Sequence, residues 1–208
     1  MNHCVLEVDV LQAPTLRYTQ DNQTPIAEMD VGFDALRPDD PRGQLKVVGW
    51  GNLAQDLQNR VQVGQRLLIL PAWLEVPTEH ADRLVIRMDP GSAFGTGSHP
   101  TTRLCLEALE AAPPQGLLVA DLGCGSGVLG LASLSLGADL VLAADTDSLA
   151  VRATAGNRML NDCSEQRLQV GLGSVETLQE LLAGRRADLL LCNILAPVIE
   201  ALSPGFES

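Results

Sequence analysis

The chain has 208 residues, 46% of them hydrophobic but only 3% aromatic, so it is expected to hold one or two domains with cores filled by aliphatic side chains. A formal charge of −12 argues against a generally phosphate-gripping, nucleic-acid-binding surface and suits a basic partner better. No apolar run approaches about 18 residues, and the N-terminus lacks a basic flank followed by an apolar core, so neither a membrane span nor a signal peptide is expected.

Residues 1–65 read as short strands around a turn-rich insert, followed by one helix. A first strand is expected over Cys4 to Leu11, a bend over Ala13-Pro14-Thr15-Leu16-Arg17-Tyr18, and a second strand over Ile26 to Phe33. Asp34 to Gly43, mixed in Pro, Asp and Arg, reads as a surface loop. Leu45-Lys46-Val47-Val48-Gly49-Trp50-Gly51-Asn52-Leu53-Ala54 then forms a strand leading into a helix. These landmarks resemble the single-stranded-DNA-binding proteins, which implies part of an OB fold and bases stacked on aromatics in a basic groove. Trp50 falls where that family carries a base-stacking aromatic; the alternative is an indole packed in the core. The segment holds five Arg or Lys against nine Asp or Glu, a poor balance for phosphate. An OB fold would also need closing strands, for which Leu67 to Leu70 or the later strands are the candidates.

Residues 66–98 connect this segment to the rest. LLILPAWLEVP and then LVIR predict a strand, a Pro-limited turn and a second strand leading to a loop at Asp89. In Phe94 to Thr102, two glycines and a proline shape a loop whose hydroxyls and N–H groups stand just before a helix predicted over Arg103 to Ala111. A helix start attracts carboxylates. Thr101 and Thr102 read either as helix caps or as ligand contacts.

The run VADLGCGSGVLGLASLSLGADLVLAAD, Val119 to Asp145, carries an apolar strand into a glycine-rich turn, an apolar helix and a second strand that ends in an acid. Gly123, Gly125 and Gly127 allow positive φ and close approach of a ligand to backbone, while the following helix offers unpaired N–H groups. Asp145 lies 22 positions after Gly123, about the spacing at which a carboxylate meets ribose hydroxyls in βαβ units. The third glycine falls one position early for G-x-G-x-x-G, with Val128 in its place, which disfavours a pyrophosphate. Asp121 to Gly127 instead reads D-x-G-x-G-x-G, the bland alternative being a tight turn in an α/β domain with another ligand. Strands are expected over Leu117 to Leu122, Leu140 to Asp145, Leu168 to Gly171 and Leu189 to Cys192.

The D-x-G-x-G-x-G turn resembles the first motif of the S-adenosylmethionine-dependent methyltransferases, with Asp145 at the position of their ribose-binding acid. DPGSAFGTGSHPTTRLCLEAL, Asp89 to Leu109, stands upstream, and ADLLLCNILA, Ala187 to Ala196, stands downstream. With all three blocks in order, the chain from about Arg66 to Ala201 resembles the ribosomal protein L11 methyltransferases. That resemblance implies S-adenosylmethionine as cofactor, with contacts at Thr102, Gly123, Asp145 and Asn193 and with Gly125 in the same turn. It implies that the Phe94 to Thr102 loop grips the cofactor's carboxylate. It also implies methyl transfer to the α-amine and lysine ε-amines of ribosomal protein L11, and a seven-stranded Rossmann-like sheet of which four strands are encoded here.

A doubly wound sheet sets the strand Leu189 to Cys192 beside Leu117 to Leu122, so Asn193 stands at the switch point where ligands bind. Asn193-Ile194-Leu195-Ala196 resembles, in diverged form, the Asn-Pro-Pro-Tyr-type motif of amine methyltransferases, which makes Asn193 the candidate catalytic residue. Its amide oxygen can accept an amine hydrogen and aim the lone pair, so that positioning supplies much of the catalysis. A merely structural strand-end asparagine is the alternative. His99 is a tempting base but reads as a loop-organising residue; solvent can take the proton, and no metal is needed.

The expected architecture is α/β: a partial OB-like β segment (1–65), connecting strands and a cofactor loop (66–98), and an incomplete Rossmann-like methyltransferase domain (99–208), in a fusion or a fragment. The expected function is S-adenosylmethionine-dependent N-methylation of ribosomal protein L11; the alternative is binding of single-stranded DNA through the first segment, beside an inactive methyltransferase fragment. Cys4, Cys105, Cys124, Cys163 and Cys192 are odd in number and lack Cys-x-x-Cys spacing, which argues for reduced thiols and a cytoplasmic protein.

Overall fold

The structure, a computed structural model, describes residues 9–12, 14–19, 24–33, 41–50, 61–63, 66–89 and 99–206. They fall into two units, Met1–Asn59 with Trp73–Glu75, and Arg60–Ala72 with Val76–Ser208.

In the first unit, β1 (Asp9–Val10), β2 (Thr15–Tyr18), β3 (Pro25–Phe33) and β4 (Gly43–Trp50) form one antiparallel sheet. β4 runs along β3 from Ile26↔Trp50 to Phe33↔Gly43, so β1 and β2 share the opposite edge of β3. The N–H groups of Leu11 and Gln12 both donate to Asp30 O, which closes the irregular step between those two strands. Thr15 to Tyr18, expected as part of a bend, is a strand instead, because Pro25–Glu28 supplies a ladder for it. Arg17 pairs with Glu28 across that ladder. Ala27 is buried and packs with Leu16, Met29 and Trp73. Trp50 is 58% exposed, so its indole is not the core side chain of this unit. Cys4 to Val8 of the first expected strand, Asp34 to Asp40 of the expected loop and the helix expected after Trp50 lie outside the described residues.

In the second unit, β6 (Leu67–Pro71) pairs antiparallel with β5 (Val61–Val63) and parallel with β7 (Leu84–Met88). Leu67 to Leu70 thus takes its partners here, not in the β1–β4 sheet that it was a candidate to close. All five residues of β6 are buried, as a central strand demands. Helix α1 spans Pro100–Ala111 and starts three residues before its expected Arg103. Pro100 presets the helical φ at the first position, and the extended His99 caps the turn by accepting the Thr101 N–H on its ring at 3.3 Å.

The main sheet contains β8 (Leu118–Leu122), β9 (Leu140–Asp145), β10 (Leu168–Leu172) and β11 (Leu189–Cys192), all parallel, in the order β10-β9-β8-β11. Helices α2 (Val128–Ser135), α3 (Ser148–Leu160), α4 (Val175–Leu182) and α5 (Ala196–Leu202) separate or follow these strands. Both sheet faces are covered, which is why the strands read as continuous apolar runs. On one face Val119, Val141, Leu168 and Leu191 pack with Leu106 and Leu109 of α1, Val128 to Ala132 of α2, and Leu67, Ile69, Ile86 and Met88. On the other, Ala120, Leu122, Leu142 and Ala144 pack with Leu178 of α4. This is a Rossmann-like α/β fold with four strands among the described residues, preceded by an antiparallel β segment. Within those residues β11 is paired only with β8, and its Leu190 is partly exposed.

Candidate functional site

From β8 the chain builds β9 and β10 to one side and later returns to place β11 on the other, so the topological switch lies between β8 and β11. Three candidate groups sit at the C-terminal ends of adjacent strands: the glycine turn after β8, Asp145 at the end of β9, and Asn193 just past β11. In the turn, Gly123, Gly125 and Gly127 have φ of 73°, 55° and 80°. The N–H groups of Gly123 and Cys124 donate to Ala144 O at 2.8 and 3.2 Å, fastening the turn to β9. A Cβ at position 123 would stand 2.3 Å from Ile194 Cγ2, so glycine is required here for space as well as for conformation.

Asp145 is held by two backbone donors. Gly125 N–H reaches Oδ2 at 2.9 Å and Asp147 N–H reaches Oδ1 at 2.9 Å. Each carboxylate oxygen retains further acceptor capacity, as a vicinal diol would need. On the other side of β8, Asn193 Nδ2 donates to Thr102 Oγ1 at 3.1 Å, joining positions 91 apart in sequence. Thr102 is 4% exposed and points from the buried face of α1. The capping role falls to His99, whose Nδ1 also lies 2.8 Å from Thr101 Oγ1. With Nδ2 committed to Thr102, Oδ1 is the acceptor that Asn193 can offer to a substrate. The site residues read from sequence therefore gather at one edge, as two linked pairs, Gly125 with Asp145 and Thr102 with Asn193. Phe94 to Ser98 of the expected carboxylate-gripping loop lie outside the described residues.

Behind the turn, Asp121 is 1% exposed and accepts the Gly130 N–H at 3.1 Å. Burial pushes its carboxyl up to about 7, opposed by that hydrogen bond and reinforced by the Asp145 charge. Burial likewise raises the thiols of Cys105, Cys124, Cys163 and Cys192, so none of them is an activated nucleophile. Among the described residues, no cluster of three or more His, Cys, Asp or Glu could hold a metal ion.

Thr154 and Asn157 of α3 support the glycine turn without having been singled out from sequence, and Asn161, the cap just past Leu160, binds β7 instead. Thr154 Oγ1 donates to Gly125 O at 3.0 Å and lies 3.4 Å from Cys124 Sγ. Asn157 Nδ2 donates to Ser126 O at 2.9 Å, and its Oδ1 accepts the Asp89 N–H at 2.8 Å. Asn161 brackets the backbone of Arg87, accepting its N–H at 2.8 Å and donating to its carbonyl at 2.7 Å. The signal available in sequence was polar residues at i, i+3 and i+7 on a helix face that otherwise carries Ala150 and Ala153.

Residues 20–208 match the family model described as ribosomal protein L11 methyltransferase. The ribosomal protein L11 methyltransferase of Parasynechococcus marenigrum (strain WH8102) is 80% identical over 146 residues, 70% of this chain and 50% of that protein. The chain spans about half the length of the curated relatives it matches. Among solved structures, the ribosomal protein L11 methylase from Lactobacillus delbrueckii subsp. bulgaricus is similar with a TM-score of 0.60 and 36% identity, over 72% of this chain and 73% of that one. A structure described as the SSB domain of a Synechococcus sp. protein shares 56% identity over 30% of this chain and 68% of its own, with a TM-score of 0.27.

Proposed function

The chain belongs to the ribosomal protein L11 methyltransferase family, and on that premise we propose that it binds S-adenosylmethionine at the β9-β8-β11 edge and methylates amines of ribosomal protein L11. The carrying observation is the contact between Gly125 N–H and the Asp145 carboxylate, which fixes an acid beside a glycine turn at the switch point. The donor set fits the cofactor: a carboxylate for ribose hydroxyls, a turn that admits close approach, and a hydroxyl–amide pair across β8. S-adenosylmethionine, when bound, supplies an electrophilic methyl group on a positively charged sulfur.

The chain's own residues bind and orient. Asp145 accepts the ribose hydroxyls, Gly123 and Gly125 offer backbone, and Thr102 holds the Asn193 amide in place. Asn193 Oδ1 accepts a hydrogen of the incoming amine and directs its lone pair, a positioning effect. Asp121 faces α2 through Gly130 and is not the base, so the amine proton passes to solvent. The acidic balance of the chain suits a basic substrate, and the free thiols of Cys105, Cys124, Cys163 and Cys192 suit the cytoplasm. No helix among the described residues is long and apolar enough to cross a membrane.

The test is incubation of the chain with ribosomal protein L11 and methyl-labelled S-adenosylmethionine. Label is expected on L11 amines, with Asn193→Ala slower by on the order of tenfold or more. Label at equal rates in both would remove Asn193 from the chemistry. Absence of label on L11 despite cofactor binding would overturn the substrate assignment.

A further inference from the structure

We propose that Asn157 is a positioning residue of the cofactor pocket, tying the glycine turn to the end of β7 so that affinity for S-adenosylmethionine depends on it. The inference rests on the cofactor reading above. An asparagine 1% exposed in the body of a helix is expensive to bury unless its amide is bonded on both sides. Here both sides are bonded, and to separate segments. Nδ2 holds the Ser126 carbonyl of the turn, while Oδ1 holds the Asp89 N–H where β7 ends and the chain heads for His99 and Thr102.

One helical turn earlier, Thr154 donates to the carbonyl of Gly125, the residue whose N–H fixes Asp145. The result is a continuous path: Asp145 carboxylate, Gly125, Thr154 on one branch, then Ser126, Asn157 and Asp89 on the other. One turn later, Asn161 makes three such bonds, two to the Arg87 backbone and one to Asn157 O. None of these hydrogen bonds reaches the glycine turn, so Asn161 serves as an internal control for the cost of losing a backbone-bonded asparagine at the end of α3. Removing the Asn157 amide frees the turn to shift relative to β7, and the groups that meet the cofactor shift with it.

The experiment is calorimetric titration of the whole chain with S-adenosylmethionine, for wild type, Asn157→Ala and Asn161→Ala, well below each protein's thermal midpoint. Asn157→Ala is expected to weaken binding about tenfold, the worth of one lost hydrogen bond, whereas Asn161→Ala lowers the midpoint and leaves affinity within about twofold. A folded Asn157→Ala with wild-type affinity overturns the proposal, as does an equal loss in both variants, which would reduce Asn157 to general helix stability. Should Asn157→Ala not fold, Asn157→Ser decides by the same criterion, since its short hydroxyl cannot bridge Ser126 O and the Asp89 N–H at once. Failure of the wild type itself to bind overturns the cofactor reading, and this inference with it.

Discussion

Asp121 shows how little of a residue's chemistry is written in its one-letter position. It is the first residue of the D-x-G-x-G-x-G turn, yet its carboxyl is buried behind α2 and held up to about 7. The folded chain therefore binds this proton more tightly than the unfolded chain does. Its contribution to stability falls as pH rises from about 3.8 to about 7 and is constant above that. Asp121→Asn keeps an acceptor for Gly130 N–H and removes the charge. The variant should be more stable than wild type at pH 8 by roughly 1 kcal/mol or more, with the difference shrinking toward pH 4. Urea unfolding of both proteins at pH 5 and pH 8 checks this, and a difference independent of pH would contradict it. The Thr102–Asn193 pair was legible only as two separate candidates. The pairing of β11 with β8 is legible, but nothing in the sequence says that the packing of α1 will bring its Thr102 hydroxyl to an amide 91 positions later.

At the scale of elements, the buried parallel strands were the most legible. Leu140–Asp145 and Leu189–Cys192 begin and end where their apolar runs do, and β8 and β10 differ from expectation by one residue. The errors have local causes. Reading Pro100 as part of the loop sets the expected start of α1 at Arg103, whereas a proline at the first helical position behind a capping His99 is a start signal. Thr15 to Tyr18 read as a bend beside Pro14, but tertiary pairing with β3 made it a strand. For β6, the sequence offered a strand without its partners. Its neighbours β5 and β7 seat Ile69 in the main core with Leu106 and Val128, and not in the sheet of the first unit. Ile69→Ala should accordingly destabilise the second unit by about 2–5 kcal/mol, measured as a drop in the urea midpoint at unchanged slope. A loss below about 1 kcal/mol would mean that β6 is not part of that core.

At the scale of the whole molecule, two patterns were readable side by side, an acidic antiparallel segment and a parallel α/β sheet. The family match extends from residue 20 to residue 208, although the cofactor motifs all lie in the second unit. The exposed Trp50 excludes the packed-indole reading for the first unit, while nine acids against five bases in residues 1–65 leave that segment poorly charged for phosphate. In the second unit the C-terminal ends of β8, β9 and β11 bring together the groups proposed to bind S-adenosylmethionine. The most direct test of that binding is calorimetric titration of the purified chain with the cofactor, beside Asp145→Ala. Saturable binding by the wild type, lost when the carboxylate is removed, is expected. Absence of binding by a folded wild type, or binding that survives Asp145→Ala unchanged, would contradict the proposed site.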